Sequence, residues 1–331
     1  MNLLARGTAS GPRAARLLFA VLLAAPFSGD RRAEAAFPGE NGKIAFSRSV
    51  AGFFQVFTVD PDGSGETQLT FGSTHAVGPS WSPDGLQLAF CRNLGIEVAN
   101  ADGTNARQVA TAASCVVGHS TAWSPDGRQI AFRSVVGGQP GLSVTNVDGS
   151  GAIPILSGIV VDTASWSPDG TTIAFGGTRD GERRGIYLVN PDGSGLTRIT
   201  PADSLQALAP DWSPDGNKIV FAMTPPGAFT TDIFIMNADG SSPVPVTATP
   251  DVSENVPAWS PDGMRIAFSR LGGIYVIDGA GEVQITTGVR PGVAADWRRP
   301  NGLRGPGIDA RRQRQIGEYE EAVRLHDHHR K

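Results

Sequence analysis

The chain has 331 residues, 40% hydrophobic and 18% charged, with 42 Gly, 24 Pro and two Cys. Its Gly and Pro follow no Gly-x-y period, which excludes collagen; its apolar fraction excludes a disordered chain, and two cysteines exclude a disulfide-dense scaffold or a four-cysteine zinc site. The net charge of −4 combines basic ends with an acidic body: residues 1–36 balance to +3, 298–331 to +4 and 37–297 to −11, so the body lacks the footprint of a nucleic-acid binder.

The N-terminus reads as a targeting segment. Arg6, Arg13 and Arg16 precede a nine-residue apolar run, 17–25, closed by Pro26 and followed by the small-x-small site Ala33-Glu34-Ala35. This is the three-part layout of a secretory signal peptide, assigned to residues 1–35. The run is far shorter than the roughly 20 residues that span a bilayer, so no membrane span is expected after signal removal. The protein is expected to be exported, to the periplasm, the cell envelope or the medium. The alternatives are an earlier cut or a segment kept as an anchor.

Three short strands follow, at 43–47, 55–59 and 67–70. Then a phrase recurs that holds all six tryptophans. Trp81-Ser82-Pro83-Asp84-Gly85 is repeated intact from Trp123, Trp166, Trp212 and Trp259, and Trp297 opens a degraded sixth copy. The intervals of 42, 43, 46, 47 and 38 residues match the period of a β-propeller blade. Each unit continues with a β run such as Ile173-Ala174-Phe175, a variable loop, and a second run such as Ile186-Tyr187-Leu188-Val189. An Asp-Gly turn and a short last strand close it. Asp-Gly between apolar runs marks a hairpin, because Gly accepts positive φ without steric cost. Pro154 and Pro245 fall in last strands; proline cannot donate to a ladder, so these strands belong at the sheet edge. One tryptophan strand left over at the C-terminus and three strands left over at the N-terminus make one four-stranded blade. The expected fold is therefore all-β: a six-bladed β-propeller over residues 37–302, closed by pairing the C-terminal strand with the N-terminal three. A basic tail, 303–331, follows; its His326, His328 and His329 read as solvated.

The Trp-Ser-Pro-Asp-Gly phrase, the Ile-Ala-Phe strand and the Asp-Gly-Ser turn resemble the WD40-like repeats of the TolB C-terminal propeller, over about 266 residues. They are also similar to the propellers that precede the hydrolase domain of prolyl-oligopeptidase-type peptidases. TolB carries an α/β domain before its propeller, where this sequence offers only the signal segment, and 29 residues after position 302 leave no room for a hydrolase domain. The resemblance implies the fold and a broad binding role.

If the tryptophan strand is innermost, the Pro-Asp-Gly and Asp-Gly-Ser turns share a lower face, while the variable loops and blade linkers share an upper one. Function is expected on the upper face. The linkers carry His75, His119, Asp162, Glu254 and Asn255, candidates for a channel-mouth site for a cation, a sugar or a peptide terminus, or simply for a solvated rim. Phe53, Phe54 and Phe229 are candidate interaction-loop aromatics. Cys91 and Cys115 can form a disulfide in an exported protein or stay as reduced core residues.

Other signals are declined. The Asp60-to-Gly65 turn resembles a calcium loop but lacks the closing bidentate Glu. Gly118-His119-Ser120-Thr121-Ala122 resembles a nucleophile elbow but runs straight into a tryptophan strand, where the elbow needs a helix. The acidity of the body comes from turn aspartates. No cofactor and no metal are expected. The leading expectation is a monomeric, exported, non-catalytic scaffold that binds another envelope or secreted protein, or a glycan. The alternative is a metal-dependent propeller enzyme, of polysaccharide lyase or lactonase type, using His75, His119 and channel acids.

Overall fold

The computed structural model describes residues 41–111, 113, 121–179, 181–201, 206–287 and 295–297. Residues 1–35, expected to be a signal segment, together with His119, Cys115 and residues 303–331, lie outside the described residues.

Twenty-four strands form six four-stranded antiparallel sheets. Blade 1 contributes β1 (Ile44–Val50), β2 (Phe53–Val59) and β3 (Thr67–Gln68). Blade 2 holds β4 (Ala76–Trp81), β5 (Gln87–Arg92), β6 (Gly95–Asn100) and β7 (Arg107–Ala110); blade 3 holds β8 (Ala122–Trp123), β9 (Gln129–Val136), β10 (Gln139–Asn146) and β11 (Ala152–Ser157). Blade 4 holds β12 (Val160–Trp166), β13 (Ile173–Thr178), β14 (Gly185–Val189) and β15 (Thr197–Arg198). Blade 5 holds β16 (Ala207–Trp212), β17 (Lys218–Met223), β18 (Asp232–Asn237) and β19 (Val244–Pro245). Blade 6 holds β20 (Glu254–Trp259), β21 (Ile266–Arg270), β22 (Gly273–Asp278) and β23 (Gly281–Gln284). The last strand, β24 (Ala295–Trp297), completes blade 1, giving the order β24-β1-β2-β3. Ile44 faces Trp297, Ala45 faces Asp296 and Phe46 faces Ala295, so the ring closes as the repeat arithmetic requires. Closure gives β1 the inner partner it would otherwise lack.

Each recurring residue has a mechanical role. In the first turn, the Ser82 hydroxyl donates to Asp84 Oδ1 at 2.6 Å and accepts from the Gln87 amide at 2.9 Å, while Asp84 Oδ1 also accepts from the Leu86 amide. The same bonds recur at Ser124–Asp126, Ser167–Asp169, Ser213–Asp215 and Ser260–Asp262. The outer turns use Asp and Ser in the same way: Asp192 Oδ1 accepts from both the Ser194 amide and hydroxyl. Two outer-turn glycines also pack blade on blade. Gly240 has φ +87°, and a Cβ there would lie 2.3 Å from the Ile199 carbonyl oxygen of blade 4; Gly103, at φ +83°, would meet Leu69 of blade 1 at 2.5 Å. Only glycine permits both that φ and that approach.

The second strand of each blade forms the core. Phe46, Phe90, Phe132, Phe175, Phe221 and Phe268 occupy equivalent positions and are all buried. The residue two before each, Ile or Leu, is buried on the same face, and the intervening Ala or Val fills the gap to the next blade. Pro154 and Pro245 lie in β11 and β19, the outermost strands of their blades.

Candidate functional site

The six tryptophan strands surround a central channel. A cavity of about 160 Å³ runs along its lower part, lined by all six tryptophans and by prolines of the Ser-Pro-Asp-Gly turns such as Pro83, Pro125 and Pro168. In a strand, neighbours alternate faces, so the residue before each tryptophan points to the opposite side of its strand. These positions are Ser80, Ala122, Ser165, Asp211, Ala258 and Asp296, all lining the cavity. Their polar groups bind blade to blade. The Trp81 amide donates to Asp296 Oδ2 at 2.6 Å, the Trp259 amide to Asp211 Oδ2 at 2.8 Å, and the Trp212 amide to Ser165 Oγ at 3.2 Å. Ser165 Oγ donates to Asp211 Oδ1, and the Ser80 and Thr121 hydroxyls meet at 2.7 Å. The indoles of Trp123 and Trp166 donate to the Ser80 and Ala122 carbonyls of the preceding blades. Two of the inner strands bulge at the cavity wall, where Ala209 and Val256 take φ +54° and +50°. Positive φ is unusual for alanine and strained for a β-branched valine.

The described linker residues anticipated at the channel mouth each have partners within the protein. Asp162 pairs with Arg184 at 3.0 Å within blade 4. Glu254 is fully buried: its carboxylate accepts from Thr247 and Thr249 and pairs with Arg270 at 3.0 Å. Asn255 accepts from Thr231 at 3.3 Å through its side chain, and Thr231 also donates to the Glu254 carbonyl. His75 Nδ1 accepts the Phe54 amide at 3.1 Å, and its ring packs on Phe53 and Phe54 at 5.6 and 5.8 Å. None of the four lines the cavity. The physical reason is that a buried carboxylate requires a cation or donors close by, and each found them in its own blade or the one beside it. The placement of Phe53 and Phe54 corrects the sequence reading. They open β2 and do not lie in a loop, because the connection before them is only Ala51-Gly52; Phe54 is buried. Phe229 stands in the β17–β18 loop and is fully exposed, at 102%. Cys91, at the end of β5, is disulfide-bonded, and the chain has just one other cysteine, Cys115.

Sequence reasoning missed Asp211, Asp296 and the arginines that fix the linker acids. The aspartates were findable, since each immediately precedes a repeat tryptophan and must face opposite to it.

The carboxyl of Asp232, at the start of β18, is pushed upward. Burial is the main cause, and the Glu254 charge adds to it, against the Thr249 amide that donates to its Oδ1 at 3.0 Å. A raised native pKa means that folding takes up a proton, so this group lowers stability at neutral pH and the loss disappears on acidification. Asp232→Asn keeps the acceptor for Thr249 and removes the charge. It is expected to leave the melting temperature at pH 7.5 unchanged or higher, and to abolish this residue's share of any gain between pH 7.5 and 5, read by thermal unfolding at both values. The outer-turn aspartates Asp62, Asp102, Asp148, Asp192 and Asp239 lie below the usual carboxylate range, mainly through the Ser or Thr hydroxyl two residues on. Their stabilising effect is present above the ordinary Asp pKa and is lost as pH falls through the lowered one. They oppose Asp232 only in strong acid.

Among the described residues no helix is long and apolar enough to cross a membrane, and no three His, Cys, Asp or Glu side chains cluster as a metal site would need.

A family model described as the TolB beta-propeller domain matches residues 92–277. Among solved structures, TolB from Acinetobacter baumannii is 19% identical, with TM-score 0.64, over 78% of this chain and 66% of that one. An oligogalacturonate lyase in complex with manganese is 16% identical, with TM-score 0.53, over 73% of each chain. A chain of the nidogen/laminin complex is 10% identical, with TM-score 0.61, over 78% of this chain and 99% of that one. At these identities the likeness is one of fold. No curated protein matches the chain in sequence.

Proposed function

Because the chain belongs to the TolB beta-propeller family, we propose that it is an exported, non-catalytic scaffold that holds a protein partner on the upper face of its propeller. The observation that carries this reading is the contrast between channel and rim. In the channel the carboxylates of Asp211 and Asp296 and the hydroxyls of Ser80, Thr121 and Ser165 are engaged in joining blades. A group that must hold the ring together is poorly placed to carry a proton or a metal through a reaction cycle. The cavity, at about 160 Å³, is also below the roughly 300–1,000 Å³ of typical small-molecule sites. On the upper rim, by contrast, Val50, Phe71, Leu94, Val135, Phe229 and Leu271 are exposed large apolar side chains. Six such side chains lie on this face, against Leu86 and Met264 in the lower turns, and exposed apolar side chains suit a protein contact.

Export rests on the N-terminal leader and is supported by the disulfide at Cys91, since such bonds persist in oxidising compartments. The nidogen/laminin complex supports protein binding as a use of this fold. The manganese complex of the lyase keeps a metal-dependent reading in view. That reading asks His75, Asp162 and Glu254 to leave the Phe54 amide, Arg184 and Arg270.

The test is cross-linking of the tagged full chain in intact cells, with fractionation. The proposal expects an exported chain joined to a discrete protein adduct. A chain retained in the cytoplasm, or manganese-dependent cleavage of oligogalacturonate by the purified protein, contradicts it.

A further inference from the structure

Four blades join their second and third strands by two-residue hairpins on the upper face: Ala51-Gly52, Asn93-Leu94, Gly137-Gly138 and Leu271-Gly272. All eight central residues have positive φ. Such turns match the twist of the strands and strongly favour Asn, Asp and Gly at both central positions. Six of the eight fit or, as alanine, strain mildly. Leu94, at φ +61°, and Leu271, at φ +48°, do not fit, because a Cβ in this region crowds the following carbonyl.

Both leucines are also turned outward, 67% and 69% exposed. Leucine at these tips is therefore disfavoured twice, by backbone conformation and by solvation. Strain kept at a surface position points to a contact made there. The two tips lie on blades 2 and 6, which flank blade 1. Val50 is exposed on the blade 1 hairpin, Phe71 in the linker from blade 1 to blade 2, and Phe229 on blade 5. The result is an apolar arc along the upper face from blade 5 to blade 2.

The charges beside the arc decide between occupants. Arg92 and Arg270 immediately precede the two leucine turns, and each is paired: Arg92 with Glu97, Arg270 with Glu254 and Glu282. Arg48, beside the blade 1 hairpin, pairs with Glu66. Among the described residues, the arginines beside the arc are thus paired and offer no free cation to anionic lipid headgroups, and what is left unmatched there is apolar. We propose that Leu94 and Leu271 are the anchors of a docking surface for an apolar, uncharged surface of another protein. This deepens the scaffold reading and rests on it.

The test uses the full chain and the double variant Leu94→Asn/Leu271→Asn, which puts a favoured residue in each turn. The probes are a labelled uncharged peptide of alternating Leu and Ser, its Glu-for-Ser counterpart, neutral and anionic phospholipid vesicles, and the protein itself in sedimentation. The proposal expects the wild type to bind the uncharged peptide, and the variant to bind at least tenfold more weakly with an unchanged or raised melting temperature. Phe229→Ser, in a longer loop, gives an independent check with the same direction of effect. A variant that melts several degrees lower would assign the leucines to the fold. Unchanged peptide binding, preference for the acidic peptide, vesicle binding through these leucines, or self-association abolished by the substitutions would each overturn the proposal. If the variant still forms the cellular cross-link, this inference fails and the scaffold reading stands; if the wild type forms none, the scaffold reading fails first.

Discussion

Trp297→Ala is expected to destabilise the protein by about 3–5 kcal/mol, the usual range for removing a buried tryptophan, and to lower its melting temperature on the order of ten degrees. Trp297 is 3% exposed and belongs to a core cluster that includes Ile44 and Phe46 of blade 1 and Ala258 and Ala267 of blade 6. It therefore fills the seam where the two ends of the array meet. That seam is built differently from the others. At other junctions an indole or a tryptophan amide is bonded to the neighbouring blade, as with Trp123, Trp166, Trp212 and Trp259. The residue of blade 6 that would accept the Trp297 amide is Ala258, which has no side-chain acceptor, and the Trp297 indole nitrogen has no partner among the described residues. Among the described residues, blades 6 and 1 are joined by packing, the Asn41–Asp262 bond at 2.9 Å and the Arg48 bond to the Thr287 carbonyl at 3.0 Å. Loss of the indole thus acts through volume, and Trp297→Phe should retain most of the stability, as chemical denaturation of both variants would show. Equal loss in the two would mean that a hydrogen bond, not packing, matters at this site.

Arg270→Ala is expected to cost about 3–5 kcal/mol as well, for a different reason: it strands a buried charge. Glu254 is 0% exposed, and Arg270 supplies its positive partner; the same guanidinium pairs with Glu282 and stacks over Tyr275 at 4.1 Å. Without it, Glu254 keeps only the Thr247 and Thr249 hydroxyls and faces Asp232 nearby. The variant should regain stability on acidification, because protonation removes the stranded charge. Arg270→Ala/Glu254→Gln should recover a large part of the loss at pH 7.5. A single variant as sensitive at pH 5 as at pH 7.5, with no recovery in the double, would show that the aromatic stacking of Arg270 matters and its charge does not.

The parts of the fold that were legible in the sequence are those set by local chemistry. Ser-Pro-Asp-Gly encodes its own hydrogen bonds within five residues, so the phrase can be read as a turn wherever it occurs. The edge prolines Pro154 and Pro245 could be placed because a missing donor forbids every inner position. Closure followed from counting strands. The site was less legible because its determinants are distant in sequence. Nothing near Asp162 announces Arg184, and nothing near Glu254 announces Arg270; each pair forms only when strands assemble. The leucine tips were hidden differently. Asn93-Leu94 and Leu271-Gly272 do not read as hairpin turns, because the residue that would signal the turn has been replaced by the one that contradicts it.

All face assignments depend on β24 pairing with β1. The direct measurement is the set of cross-strand nuclear Overhauser effects between backbone protons of 44–46 and 295–297. Contacts in the register Ile44 to Trp297, Ala45 to Asp296 and Phe46 to Ala295, with slow amide exchange in both segments, are the expected result. Contacts of 295–297 with any other strand, or fast exchange along the inner edge of β1, would contradict the closed ring and the rim built on it.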